Sequence, residues 1–161
     1  MRLSTRGRYA VMAMVELAAR QRGPADPRER GRPVSLAEIA AAQQLSLAYL
    51  EQLFGHLRRA GLVASARGPG GGYRLGREAA AIAIADIVNA VDEPIRATRC
   101  EEGAPGCLAG QRCLTHDLWA ELGEHIRLFL CGVSLADVVA GAVADRASAP
   151  RQPVLLADAA Q

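Results

Sequence analysis

Between Ser35 and Leu75 the sequence spells two short helices and a hairpin, and this stretch limits the fold more than any other. Ser35-Leu-Ala-Glu38 is a capping box: the serine hydroxyl can accept from the N–H three residues on, and the glutamate can reach back to the serine N–H. The helix it opens turns Leu36, Ile39 and Ala40 inward and stops near Gln44-Leu45. Ser46 then stands as the cap of a second helix, with Leu50, Leu53, Phe54 and Leu57 on one stripe and Gly61 just past its end. Two capped helices about a tight turn describe a helix-turn-helix, with the second helix in the recognition position. A plain helical hairpin shares that pattern, but the segment after Gly61 separates the two. Leu62-Val-Ala-Ser-Ala-Arg67 alternates as a strand does, Gly68-Pro-Gly-Gly-Gly72 turns, and Tyr73-Arg-Leu75 returns. The expected fold is therefore mainly α with a small β-hairpin wing: a winged helix-turn-helix.

Such a fold directs attention to charge. Residues 1–76 carry 12 Arg against 5 Asp and Glu, whereas residues 77–161 carry 7 Arg against 12. A basic half joined to an acidic half fits one module that meets a polyanion and one that does not. Aromatic residues make up only 4% of the chain, too few for a single-strand stacking platform, so the polyanion expected is duplex DNA. Ala48, Tyr49, Gln52 and Arg59 point away from the apolar stripe of the second helix. Gly70 and Gly71 form a tip that can approach a duplex closely, and Arg67 and Arg74 flank it. The glycine run is not read as a nucleotide loop, because no Gly-Lys-Ser/Thr ends it and the order of elements is wrong.

The second focus is Cys100 to His116. Three of the four cysteines lie here, spaced C-x6-C-x5-C, with a histidine two residues beyond the third. The segment has no apolar period, so packing alone does not order it. Zinc sites favour closer cysteine pairs, whereas the wider intervals suit a larger iron–sulfur object; zinc and redox thiols stay open as alternatives. His116 in the first turn of a helix can face the same centre as Cys113, where the helix end favours an anionic group. As a neutral ligand it would make the site less negative.

The remaining chain frames these two features. A helix from Ser4 or Thr5 runs through Tyr9, Ala10, Val11, Met14, Leu17 and Ala18 and fades at Arg22. Residues 22–33 read as a surface loop, Ile84–Val91 as a short amphipathic helix, and Ser134-Leu-Ala-Asp137 as another capped start of a helix running to about Ala144. Between the last two, Thr115 can cap a long helix with Leu118, Leu122, Ile126, Phe129 and Leu130 at near-heptad spacing and Trp119 beside them. One apolar stripe in so small a protein favours pairing with the same helix of a second copy. Cys131 is read as a packing residue of that helix. The expected divisions are 1–76 for the winged helix-turn-helix, 77–99 for a connecting helix and linker, 100–116 for the cysteine loop, 117–145 for a dimerisation helix and a C-terminal helix, and 146–161 for a disordered tail. No apolar run approaches the roughly 18 residues of a membrane span, and the N-terminal apolar stretch is broken by Glu16, against a secretory signal. A cytoplasmic, reducing setting is expected, where clustered cysteines favour metal over disulfides. No CxxC dithiol or nucleophile–base pair suggests an enzyme.

With both halves in view, the sequence resembles the winged-helix family of iron–sulfur-, nitric-oxide- and iron-responsive transcription regulators. The text that carries the likeness is MRLSTRGRYAVMAM, SLAYLEQLF, GLVASARGPGGGYRLG, ATRC and CLTHDLW, spread over roughly residues 1–135. The resemblance implies a homodimeric regulator of cluster-assembly genes, repressor or activator, bound to a pseudo-palindromic operator. It implies a [2Fe–2S] cluster on Cys100, Cys107, Cys113 and His116, delivered by cluster-assembly or carrier proteins. It also implies that Ser46, Tyr49 and Gln52 read bases and Arg67 enters the minor groove. Arg2, Arg8, Ala48, Glu51, Arg59, Gly70 and Gly71 complete the expected DNA-facing set. Two departures stand out: Ala48 replaces a small hydroxyl residue, and the first cysteine interval is one residue longer. Glu51 is an acid within a basic half; a carboxylate accepts from cytosine N4 and is repelled elsewhere, so Glu51 is a candidate discriminator between classes of site.

Overall fold

The computed structural model describes residues 5–22, 31–91 and 113–144. Its order is α1 (Thr5–Arg22), α2 (Leu36–Gln43), α3 (Leu47–Arg59), β1 (Val63–Ala66), β2 (Gly72–Leu75), a 3-10 turn at Ala79–Ala81, α4 (Ile84–Val91), α5 (His116–Gly132) and α6 (Leu135–Val139). This is the helical architecture with a two-stranded antiparallel wing that the sequence implies.

The helix starts reflect their local chemistry. Ser35 closes the expected capping box, its Oγ accepting from the Glu38 N–H (3.2 Å) while Glu38 accepts from the Ser35 N–H (2.8 Å). Ser134 and Asp137 repeat the device at α6. Helix α3 ends in a Schellman turn, with the Gly61 N–H donating to Arg58 O and the Leu62 N–H to Leu57 O. Helix α6 is shorter than expected. The Gly141 N–H donates to Val138 O and the Ala142 N–H to Asp137 O, so the same motif stops it at Val139 and the chain continues as turns to residue 144. Ser46 and Thr115 occupy their N-cap positions, yet neither side chain makes the capping hydrogen bond.

Helix α1 lies at the centre, packed against α4, α2, α6, α3 and β2. Met14, Leu17, Ile39, Leu50, Leu53, Phe54, Leu57, Leu62, Ile82, Ile87 and Leu135 are fully buried in one core. Removing such side chains from water supplies about 1.5–3 kcal/mol apiece, the main force holding the elements together. In the wing Val63 pairs with Leu75 and Ala66 with Gly72. Tyr73 also exchanges both backbone hydrogen bonds with Val34 (2.9 and 2.8 Å), tying the wing to the entry of α2.

Helix α5 departs from this pattern. Gly123 is its one buried residue. Leu118, Trp119, Leu122, Leu128 and Phe129 are exposed, Leu118 by 62% and Phe129 by 43%. Cys131, expected to be a packing residue, is exposed as well, because no element among the described residues covers α5 on that side. Its backbone is fastened at the far end, where the Ile84 N–H donates to Val133 O (2.9 Å) and the Leu135 N–H to Ile82 O (2.8 Å). No helix among the described residues is long and apolar enough to cross a membrane.

Candidate nucleic-acid interface and the cysteine–histidine turn

Along α3 the buried stripe of Leu50, Leu53, Phe54 and Leu57 fixes which side is presented outward. Ser46, Ala48, Glu51, Gln52 and Arg59 are exposed, and Tyr49 is half-buried. With its hydroxyl not engaged in capping, Ser46 keeps a donor and an acceptor at the helix N-terminus, where the unpaired N–H groups and the dipole favour phosphate. Arg59 is turned back along its helix, its Nε donating to Gly55 O (3.3 Å). Arg2 lies outside the described residues, and Arg8 is exposed on α1.

The wing is held to α3 by an aromatic pair, Phe54 against Tyr73, with ring centroids 4.9 Å apart. Its tip is a Pro69-Gly70 turn closed by the Gly71 N–H donating to Gly68 O (2.9 Å). Gly70, with φ +75°, takes the left-handed position that a type II turn demands. A Cβ on Gly71 would stand 2.6 Å from Ala66 O, so neither residue accommodates an ordinary side chain. The result is a narrow, exposed tip with Arg67 at its base.

A third arrangement lies beyond what the residue pattern announces. Tyr9 of α1 meets Tyr49 of α3 edge to face, with centroids 6.0 Å apart and planes at 87°. The Arg8 guanidinium carbon stands 5.6 Å from the centre of the Tyr9 ring. Tyr9 reads in sequence as one more residue of the α1 apolar face; its partner is 40 positions away, beyond the reach of any local period. Arg6, also unassigned from sequence, reaches the Val91 carbonyl at the end of α4 (3.5 Å).

Of the four candidate metal ligands, Cys113 and His116 are described, and Cys100 and Cys107 lie outside the described residues. The His116 N–H donates to Cys113 O (3.0 Å), a turn that delivers both half-buried side chains to the start of α5. The Thr115 hydroxyl, instead of capping the helix, lies 3.5 Å from Cys113 Sγ. Among the described residues no group of three or more metal-ligating side chains is assembled. A thiolate and an imidazole at a helix N-terminus are nonetheless a donor set that soft or borderline metals accept, iron–sulfur clusters included.

Comparison with known proteins places this arrangement among its relatives. The Rrf2 family model, that of an iron-dependent transcriptional regulator, matches residues 3–141. The HTH-type transcriptional regulator IscR of Yersinia enterocolitica is 52% identical over 139 residues, covering 86% of this chain and 79% of that protein. Among solved structures, the CymR (YrzC) global cysteine regulator of B. subtilis matches with TM-score 0.70 and 34% identity, over 88% of this chain and 98% of that one. IscR of T. potens matches with TM-score 0.68 and 35% identity, over 92% and 94%.

Proposed function

The chain belongs to the Rrf2 family of iron-dependent transcriptional regulators, and from that premise we propose that it senses a [2Fe–2S] cluster and controls genes of cluster assembly. Transcription regulation of the IscR type stands on the family itself. The finer reading draws support from the turn that joins Cys113 to His116 at the head of α5, the helix with an uncovered apolar face among the described residues.

Cys113 and His116, with Cys100 and Cys107, would hold the cluster, which when bound supplies an oxygen- and iron-sensitive cross-link within a segment whose sequence offers no apolar period. The chain's own residues do the rest. Cys113 and His116 couple that segment directly to the first turn of α5. The exposed row of Leu118, Trp119, Leu122 and Phe129 pairs α5 with the same helix of a second copy, giving a homodimer that reads a pseudo-palindromic duplex. On each subunit Ser46, Tyr49 and Gln52 face base edges, Arg67 enters the minor groove beside the Gly70–Gly71 tip, and Arg8 and Arg2 meet phosphates. Glu51, exposed on the same helix, discriminates between classes of site. Cluster-assembly or carrier proteins are the donors.

The deciding measurement is an absorbance spectrum of protein isolated without oxygen, with iron and sulfide analysis. Brown protein with equal iron and sulfide is expected. Colourless protein carrying stoichiometric zinc would replace the sensor by a zinc-stabilised regulator. If Glu51→Ala changes neither affinity nor cluster dependence at any site, discrimination by Glu51 is discarded.

A further inference from the structure

We propose that Tyr9 is a positioning residue for duplex recognition, a role that rests on the DNA-binding function proposed for this chain: its ring holds Tyr49 edge to face at the start of α3 while it also carries the Arg8 guanidinium.

Tyr49 is the half-buried member of an otherwise exposed row. Ser46, Leu47, Ala48, Glu51 and Gln52 all face solvent, and Leu50 is fully buried. A side chain at such a boundary has two torsions to settle, and what settles them decides where its hydroxyl meets a duplex. The Tyr9 ring is the aromatic partner at 6.0 Å, and it is anchored in turn, since both tyrosines pack against the central core. The perpendicular planes match the favoured arrangement of two aromatic quadrupoles. Arg8 lies within cation–π range of the same ring, so one side chain of α1 gathers two groups that face the polyanion from different helices. Leucine at position 9 would satisfy the apolar face of α1 but offers neither quadrupole nor edge. Tyr9 therefore sets the recognition helix and an α1 arginine at a fixed separation, and so helps to choose which bases and which phosphates are met together.

The test uses the full chain, a duplex that the wild type enriches from a random pool, and a scrambled duplex of equal composition. Tyr9→Leu is expected to weaken binding to the enriched duplex roughly 3- to 10-fold, the span of one aromatic pair, and to weaken binding to the scrambled duplex by a smaller factor. Tyr9→Phe keeps the ring and binds as the wild type does. In a cycle with Tyr49→Leu, the double variant loses less than the product of the two single losses. If the leucine variant does not fold, Tyr9→Met serves the same comparison. Wild-type binding by Tyr9→Leu, or independent losses in the cycle, overturns the proposal. So does equal failure of Tyr9→Phe and Tyr9→Leu, which would put the phenol itself on the DNA. A wild type that enriches no duplex overturns the DNA-binding function and this proposal together.

Discussion

Gln52 and Arg67 are both exposed polar residues of the proposed DNA-facing set, and their substitutions are expected to fail differently. Gln52→Ala should relax preference at one base position by about 1–3 kcal/mol, seen as a single flattened column in a selection profile. Arg67→Ala should weaken binding across many sequences and reduce the salt slope by about one counterion. Ser35 offers a stability counterpart. Ser35→Ala removes both hydroxyl contacts of the capping box and should cost about 0.5–2 kcal/mol by denaturant titration. The Glu38 carboxyl is held below its usual range by the Ser35 hydroxyl first, then the Ser35 N–H, with Arg32 and Arg20 adding to them. A depressed carboxyl contributes stability that is complete above its unfolded range and vanishes as pH falls through the folded one. The gap between Ser35→Ala and wild type should accordingly narrow on acidification. Both capping boxes were legible because their geometry is contained in four consecutive residues. Ser46 and Thr115 have equally good capping chemistry but do not use it, and nothing local distinguishes them from Ser35. Tyr9 was legible as helix and not as a contact, since its meaning depends on where α3 packs.

Elements were easier to foresee when their ends carried signals. Helix α4 spans the eight residues Ile84–Val91, as the i, i+3, i+4, i+7 spacing of Ile84, Ile87, Val88 and Val91 indicates. The stop of α6 was written in Gly141, at φ +69°, but a run of Ala and Val around it masks the signal. The exposure of Cys131 was not legible, because periodicity tells which face is apolar and never whether a neighbour covers it. That same gap yields a prediction for α5. Phe129→Glu places a charge on a side chain the monomer core does not need, so the melting temperature of a dilute monomer should be nearly unchanged. The dimer proposed for this chain should dissociate in sedimentation, and a duplex with two half-sites should bind roughly 100-fold more weakly as the second contact becomes bimolecular.

Over the whole molecule, the basic half contributes the winged helix-turn-helix and the acidic half contributes α4 onward. Binding to duplex DNA should therefore fall steeply between low and physiological salt, with a linear log–log dependence in filter binding or anisotropy. The backbone bonds between Ile84 and Val133 and between Ile82 and Leu135 carry a further consequence. They rejoin the chain to the body beside the start of α4, so the sequence between α4 and Val133 begins and ends on the same core. The described chain leaves off at the C-terminal end of α4 and is fastened again beside its N-terminal end. Changing the length of the connection between those two ends of α4 alters the closure entropy only logarithmically. One winged-helix body can thus carry connections of different lengths.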